Sequence, residues 1–577
     1  MRSGIDRTKA SSIFVVLVVV ASLTACTGAV SSGGASGNPT PGSAGGSQSG
    51  GAGTTGSAGG AATGFAGTGS GTVGSLPPGT TMTMTAACAN APLATGGAYV
   101  RRLTRWEYAN TITDLFKVAA PTGLPDLLPA DIRANGFSND FAGQLVSLEH
   151  VTAYSGAADA VGASLSKSAT WLAPFATCAA TTQGTTALCR DQIVRALGLH
   201  LFRRPATDAE VMTFGGLFDA AVAAGMTTAP AAAVVVVRGM LQTPQFLYRL
   251  ERQSAAPGAP ARALDNFEIA TRLSYFLWSS APDDALLAAA QAGDLTSPDK
   301  LRAQVTRMLS GPHARDVIQR YFREWLSLDD LDDANRGAAF TPQLSADMKQ
   351  ETLDVVGADL WDARHPLLSM FTSKSTIVSP ALAKHYGLPA PGAGGRVSTA
   401  TAPGRTGILT HASVLTVNGD ADASIVLRGL YVMRKVLCGD VPAPPPGATS
   451  VVLAPATASQ RVKSDARLAM QPCQSCHSQF DPLAYAFEPF DNIGALQTKD
   501  VNNNAVKADG WIPGAAKVPY TTTDEYMTAL VQDPRVGACM AQHVAQFAWG
   551  RALQTTDSCL LEDVQGRLGA PETRTFA

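Results

Sequence analysis

The spacing of apolar residues along the chain predicts a body built mainly of α-helices. In R-R-L-T-R-W-E-Y-A-N-T-I-T-D-L-F (residues 101–116), apolar residues recur every three or four positions, which is the period of one helix face. Thr104 is followed three residues later by Glu107, the pattern of a capping box at a helix start. We therefore expect a capped amphipathic helix at the beginning of the body.

Similar patterns continue through most of the chain. They predict helices over residues 191–202, from 207 onward, and over 264–278, 297–309, 313–328 and 340–362. Strand signals are few, the first being the valine run at residues 234–237.

Segments rich in proline or glycine interrupt these patterns at residues 255–260, 387–395 and 441–447. The breaks suggest four sections of the body. These are N-terminal helical domains over 87–260, a central helical domain over 261–395, a section over 396–515 that contains the chain's main chemical motif, and a C-terminal helical section over 516–577.

The first 26 residues have the form of a lipoprotein signal peptide. Basic residues precede an apolar run at 13–23, which is short for a bilayer span, and the flank reads Leu-Thr-Ala-Cys. Leu-x-Ala-Cys resembles the bacterial lipobox, in which the cysteine carries lipid after cleavage. We expect Cys26 to be lipidated and the chain to be anchored to a membrane of the cell envelope, facing the periplasm or the exterior. An ordinary signal peptide with a nearby cysteine is the alternative.

Residues 27–86 are dominated by Gly, Ser, Ala and Thr and contain no charged residue. Such a composition cannot bury a core, so we predict a disordered tether between the anchor and the body. The net charge of −2 argues against a nucleic-acid partner.

Nine cysteines are present, and their chemistry depends on compartment. With Cys26 assigned to lipid and two cysteines to the motif described below, six remain, and an even number in an exported chain suggests disulfides. Proximity in sequence favours Cys178–Cys189 and Cys539–Cys559, and elimination leaves Cys88–Cys438. Buried free thiols are the alternative.

The stretch C-Q-S-C-H (residues 473–477) carries the most specific chemical signal. Two thiols three residues apart on a helical turn project in nearly the same direction, where they can bond one edge of a porphyrin. The following histidine can then ligate the iron, which is why this pattern indicates covalent c-type haem. We expect Cys473 and Cys476 to attach haem c, and His477 to be the proximal ligand.

Two other readings of the motif stay open. Zinc would need two further ligands at suitable spacing, and the sequence contains no second Cys-x-x-Cys. A redox or structural disulfide would suit a βαβ setting, whereas the surroundings look helical. The sixth iron ligand is undetermined, with candidates Met470, His411, Met527, Met540 and His543.

The residues that follow the motif resemble a known group of proteins. In C-Q-S-C-H-S-Q-F-D-P-L-A-Y-A-F-E-P-F-D-N-I-G (residues 473–494), the motif is followed by Asp-Pro and then by Phe-Glu-x-Phe-Asp-x-x-Gly. This is similar to large planctomycete- and myxobacterial-type proteins built from domains of unknown function with a cytochrome c-like C-terminal section. Further similar stretches are R-R-L-T-R-W-E-Y-A-N-T-I-T-D-L-F, L-F-R-R-P-A-T-D-A-E, L-S-Y-F-L-W-S-S-A-P-D-D-A-L-L, G-I-L-T-H-A-S-V-L-T and F-A-W-G-R.

The resemblance implies covalent haem and an electron-transfer setting, without an assigned activity. Relatives often carry a histidine shortly before the first motif cysteine, whereas this chain has A-R-L-A-M-Q-P-C, so Arg467 or Met470 cannot fill that place identically. Of the acids in the pattern, Asp481 could cap a turn before Pro482. Glu488 and Asp491 could bond backbone amides or pair with Arg428 or Arg551, and a haem-propionate or proton role is the alternative.

Three functions are compatible with these features. The first is an exported, lipid-anchored electron-transfer protein with one covalent haem and a redox partner protein. The second is a haem-dependent oxidoreductase, peroxidase-like or acting on a polymer. The third is a surface scaffold whose haem is structural. No nucleophile–base cluster or paired-acid motif supports hydrolysis.

Overall fold

The fold was analysed in a computed structural model, which describes Cys88 and residues 99–569 except 118–120, 122, 181–183, 252–261, 421, 445 and 449–451. The predicted signal peptide, Cys26, the predicted tether and the predicted break at 255–260 lie outside the described residues. What is described is mainly helical, as the apolar spacing predicts.

The first half of the described chain consists mainly of helices, together with one short strand pair. Its helices are Arg105–Phe116, Leu148–Leu165, Ala187–Leu201, Asp208–Ala223, Ala229–Met240, Pro244–Leu247, Asn266–Trp278, Asp284–Gln291, Pro298–Leu309 and Pro312–Trp325.

The second half contributes shorter helices and the helix that bears the motif. Its helices are Pro342–Val355, Pro380–Tyr386, Ala412–Val417, Ile425–Tyr431, Gln460–Ala469, Cys473–Ala484, Thr523–Gln532, Pro534–Trp549 and Ser558–Gly569. Two π-helical turns, Val356–Asp362 and Val432–Val436, directly follow helices. Single 3₁₀ turns lie at Leu124–Leu127, Phe141–Gly143, Thr177–Ala180, Asp294–Thr296, Leu328–Leu331, Leu367–Phe371, Ile408–Thr410, Tyr485–Phe487 and Thr555–Asp557.

Strands in the described residues form three antiparallel pairs of two. Arg101–Arg102 pairs with Tyr248–Arg249, Ser375–Ile377 with Arg396–Ser398, and Gly510–Ile512 with Val518–Tyr520. The first pair joins the start of the body to the end of the N-terminal helices, which the sequence did not predict.

The predicted capping box at the first helix is confirmed. The Thr104 side chain accepts the Glu107 backbone N–H at 3.1 Å, and the Glu107 carboxylate accepts the Thr104 N–H at 2.8 Å. A second box at Thr207 and Glu210 starts the helix predicted there. These short-range bonds satisfy N–H groups that a helix leaves free in its first turn.

The strand predicted at residues 234–237 is wrong. These valines lie inside the helix Ala229–Met240, whose alanines and valines are mostly buried against the helices Leu148–Leu165, Ala187–Leu201 and Asp208–Ala223. Burial on several sides of one helix outweighs the modest preference of valine for strands.

The largest hydrophobic cluster brings distant parts of the chain into one core. It contains Phe137, the helix Pro312–Trp325, the helix Ile425–Tyr431 and residues from the helices Thr523–Gln532 and Pro534–Trp549. Phe480, Leu483 and Phe487 from the region of the motif belong to the same cluster. The motif helix region therefore packs into a core to which all four predicted sections contribute residues. In the described residues, no helix is both long enough and apolar enough to cross a membrane.

Candidate functional site

The C-x-x-C-H motif forms the first turns of the helix Cys473–Ala484, which we call the motif helix. Its first turn is held by Ser475, whose hydroxyl donates to the Pro472 carbonyl at 2.6 Å. Pro482 lies inside the helix and has no N–H to donate, and the helix ends two residues later. The motif thus occupies the amino-terminal end of a short helix whose other end enters the core.

Cys473 and Cys476 are both free thiols and both half-buried. The other six described cysteines are paired in disulfides. Cys476 also packs against the main core, whereas the neighbouring Gln474 and Ser475 are exposed. The two thiols are therefore accessible and chemically available, as thioether formation requires.

His477 is oriented by an acid one helical turn further on. Its Nδ1 lies 2.9 Å from Oδ1 of Asp481, whose side chain is 0% exposed, while the imidazole itself is 22% exposed. Because an ionised carboxylate can only accept, Nδ1–H must be the donor, which leaves the lone pair of a neutral imidazole on Nε2. Within the described residues, Nε2 of His477 makes no hydrogen bond. This is the nitrogen that a metal would take.

The second oxygen of Asp481 is held by the helix Gln460–Ala469. Oδ2 accepts from the Ser464 hydroxyl at 2.6 Å and from Nε and Nη2 of Arg467 at 3.1 and 2.9 Å. A fully buried carboxylate without such donors would be costly, so these bonds explain how Asp481 is tolerated beside the motif.

Tyr485 extends this network. Its hydroxyl lies 2.8 Å from the Ser464 hydroxyl, and burial raises the pKa of Tyr485 to about 12. The phenol is therefore neutral, and because Ser464 gives its proton to Asp481, Tyr485 is the donor to Ser464. The Arg461 guanidinium stacks 3.6 Å above the Tyr485 ring.

The other two acids of the pattern have structural partners. Glu488 pairs with Arg461 at 2.6 Å, and burial raises its pKa despite this cation. Asp491 accepts the backbone N–H groups of Ile493 and Ala495 at 2.9 and 2.8 Å, which agrees with the expectation of backbone bonding.

The side-chain ion pairs suggested for these acids are not formed. Arg428 instead donates to the backbone carbonyls of Phe487 and Phe490 at 2.9 and 2.7 Å. Arg551 pairs with Asp557 at 2.7 Å. Asp481 also does not act as a turn cap before Pro482, because it lies within the motif helix and faces His477.

The five candidates for a sixth iron ligand differ sharply in setting. Met527 and Met540 are 0% exposed in the core, and Met470, close before the motif, is 42% exposed. His411 is buried with Nδ1 3.0 Å from the Thr352 hydroxyl. His543 is buried with Nε2 3.1 Å from the Lys435 carbonyl oxygen. The sixth ligand stays a prediction.

Two of the three predicted disulfides are wrong, because their cysteines pair with other cysteines. Cys178–Cys189 is formed, but Cys539 bonds Cys438 and Cys559 bonds Cys88. The prediction of Cys539–Cys559 relied on closeness in sequence. Cys539 faces the segment after the π-helical turn Val432–Val436, whereas Cys559 lies on the next helix, Ser558–Gly569. The packing of the helices, which brings cysteines distant in sequence together, determined these pairs.

The zinc reading of the motif is not favoured. Over the part of the chain that the structure describes, one group of three potential ligands has its atoms within 4.8 Å of one another, and it consists of Cys438, Cys539 and His543. The two sulfurs of that group are already joined in a disulfide. The motif residues do not converge on a common point with further ligands, as a four-coordinate zinc site requires.

The residues present do fit covalent haem. Two free thiols stand three positions apart at the start of one helix, and the next residue is a histidine with a free Nε2 and a carboxylate on Nδ1. Metal-ligating histidines commonly donate their other N–H to such a partner.

Sequence reasoning missed Ser464, and it considered Arg467 only in place of a histidine found in relatives, not as a partner of Asp481. The signal that could have found them is their i, i+3 spacing on a polar helix directly before the motif. It also missed a cavity of about 330 Å³ beside the π-helical turn Val356–Asp362, lined among others by Asp359, His365 and Ser369. No sequence pattern marks that cavity.

Comparison with protein families supports the resemblance to proteins built from domains of unknown function. Four family models, each described as a protein of unknown function, match the chain: PSD3 (DUF1587) at residues 101–166, PSD5 (DUF1595) at 189–251, PSD4 (DUF1592) at 264–388 and PSCyt3 (DUF1588) at 405–500. No curated protein and no solved structure matches. The chain thus contains four domains of the planctomycete-type PSD and PSCyt series, and its C-x-x-C-H motif lies in the PSCyt3 domain, whose name is consistent with a cytochrome-like section.

Proposed function

We propose that this chain is a c-type haem protein that transfers electrons. Cys473 and Cys476 would form the two thioether bonds, and His477 would ligate the iron through Nε2. Bound in this way, the haem supplies a centre that gains and loses one electron. The observation that carries the proposal is the combination of two free, accessible thiols with a histidine whose Nδ1 is held by a buried carboxylate.

The protein's own residues would hold the group and control its surroundings. Asp481 accepts Nδ1–H of His477 and so leaves the lone pair on Nε2, and Phe480, 4.9 Å from the imidazole by ring centroids, limits the room for rotation of the ring. Cys476 packs against the main hydrophobic core, so the attachment point is supported by that core.

Expression in a bacterial host that attaches haem c to exported proteins tests the proposal. We expect a pyridine-haemochrome spectrum and a mass increase of one haem for the wild-type chain. A Cys473→Ser/Cys476→Ser variant should show neither. The matched control is Cys178→Ser/Cys189→Ser, which removes a cysteine pair elsewhere and should retain the haem. A wild-type chain that leaves this host without added porphyrin would refute the proposal.

The location of the protein is a further part of the proposal. The Leu-Thr-Ala-Cys sequence at residues 23–26 and the polar stretch after it support a lipid-anchored protein of the cell envelope, held off the membrane near a redox partner. A Cys26→Ser variant should move from the membrane fraction to the soluble fraction. If both forms partition equally, the anchor is excluded.

A haem-dependent oxidoreductase is the second candidate. It is favoured by the carboxylate on Nδ1, because such a partner makes an iron-bound histidine a stronger electron donor. Electron transfer predicts a six-coordinate, low-spin iron. A high-spin iron that binds carbon monoxide without displacing a protein ligand would favour the oxidoreductase.

A further inference from the structure

The hydrogen bonds that stabilise the buried Asp481 carboxylate do not by themselves account for its contact with His477. It is 0% exposed, and Ser464 and Arg467 together place three hydrogen bonds on Oδ2. Those bonds would suffice to anchor a structural carboxylate. The other oxygen, Oδ1, is nevertheless turned toward Nδ1 of His477 at 2.9 Å.

The contact is set by the helix itself. His477 and Asp481 are four residues apart on the motif helix, so their side chains lie on the same face. The helix Gln460–Ala469 packs against the motif helix and fixes Asp481 from the opposite side through Ser464 and Arg467. The carboxylate cannot turn away from the imidazole without losing these bonds.

We propose that Asp481 is a positioning residue that sets the tautomer, orientation and donor strength of the proximal His477, and thereby lowers the reduction potential of the haem. This inference rests on the proposed haem attachment. A carboxylate that accepts from Nδ1–H increases the electron density at Nε2, which favours the oxidised iron. Arg467 moderates the effect, because it shares the same carboxylate.

Asp481→Asn tests the role of the charge. The amide has nearly the same shape but carries no charge, and its single oxygen has to serve both Nδ1–H of His477 and the donors of Ser464 and Arg467. We expect reduction to become about tenfold more favourable, which is about 59 mV for one electron. Arg467→Gln should shift the potential in the opposite direction, since the carboxylate then acts on His477 with less compensation.

Glu488→Gln is the matched control. Glu488 is also a buried acid, paired with Arg461, and makes no hydrogen bond to His477. Glu488→Gln should change the equilibrium constant for reduction of the haem by less than about threefold, because it alters the charge in the same domain without touching His477. Equal shifts for Asp481→Asn and Glu488→Gln would overturn the proposal.

A second measurement does not depend on haem. In the Cys473→Ser/Cys476→Ser chain, ¹⁵N NMR of the imidazole should show His477 as the Nδ1-protonated tautomer, and adding Asp481→Asn should produce a mixture of tautomers. Circular dichroism checks that each variant folds. If Asp481→Asn does not fold, Ser464→Ala takes its place and should shift the potential in the same direction as Arg467→Gln.

The outcomes separate the two proposals. Absence of haem from the wild-type chain refutes the proposed function, while the tautomer still reports on the Asp481–His477 contact. An unchanged potential in a haem-containing Asp481→Asn protein refutes the role of Asp481 alone.

Discussion

The imidazole of His543 lies in the interior beside the Cys438–Cys539 disulfide, in a setting that disfavours its protonated form. Its Nε2 is 3.4 and 3.6 Å from the two sulfurs and 3.1 Å from the Lys435 carbonyl oxygen. Burial is the largest cause that lowers its pKa to about 4, and the nearby Lys435 ammonium adds to the effect. At the residue scale, such a group links stability to pH.

We predict that His543 makes the protein less stable as the pH falls from about 6.5 to about 4. In this range the unfolded chain binds a proton at His543 that the folded chain does not bind, so the free energy of unfolding decreases. A pKa lowered from 6.5 to about 4 corresponds to a loss of about 3 kcal/mol. Urea denaturation across this range, with disulfides intact, measures it.

His543→Gln should weaken this pH dependence of the free energy of unfolding relative to the wild type. The control is His313→Gln, because the His313 side chain is 40% exposed. That variant should keep the wild-type slope. If His543→Gln keeps it as well, His543 is protonated in the folded protein over this range and does not link stability to pH.

At the element scale, the packing of the motif helix depends on one close approach. Gly429 lies on the helix Ile425–Tyr431, and a Cβ added there would come 2.2 Å from the Phe480 carbonyl oxygen. The obstructing atoms belong to the backbone of the motif helix, so no side-chain rotation would relieve the contact. The two helices can meet only with glycine at this position.

We predict that Gly429→Ala destabilises the protein by about 1–3 kcal/mol, the usual cost of overpacking. Gly537→Ala is the matched control, because Gly537 is also inside a helix and its added Cβ would meet nothing within 4 Å. That variant should be stabilised by about 0.5–1 kcal/mol, since alanine is the better helix former. Denaturation curves of both variants measure the change in the free energy of unfolding. Equal changes for the two variants would contradict the close approach of the two helices at Gly429.

At the scale of the whole molecule, the Cys88–Cys559 disulfide joins the start of the described chain to its last helix. The two cysteines are separated by 471 residues, compared with 11 for Cys178–Cys189. In the chain-entropy view, closing a longer loop restricts the unfolded chain more. This bond therefore constrains the unfolded state more than the short bridge does.

We predict that peptide mapping without reduction will recover Cys88 linked to Cys559 and Cys438 linked to Cys539. Cys88→Ser/Cys559→Ser should cost about 4 kcal/mol or more, against about 3 kcal/mol for Cys178→Ser/Cys189→Ser, because loop entropy increases with length. Recovery of a Cys539–Cys559 peptide would show that closeness in sequence was the better guide.

The sequence by itself determined the features that depend on a few neighbouring residues. Apolar spacing predicted most helices, the Thr104 and Thr207 caps lie where the chain places them, and C-x-x-C-H sets two thiols and an imidazole on consecutive turns of one helix. These features depend on backbone geometry that repeats within three or four residues, so no distant partner is needed to specify them.

Only the tertiary structure decided which distant residues meet. The valines at 234–237 are helical because they are buried on several sides. Cys539 forms its disulfide with Cys438. Asp481 is held between His477 and a different helix, which carries Ser464 and Arg467. Such pairs join residues tens to hundreds of positions apart. Their selection depends on how helices pack into a shared core, which local periodicity does not encode.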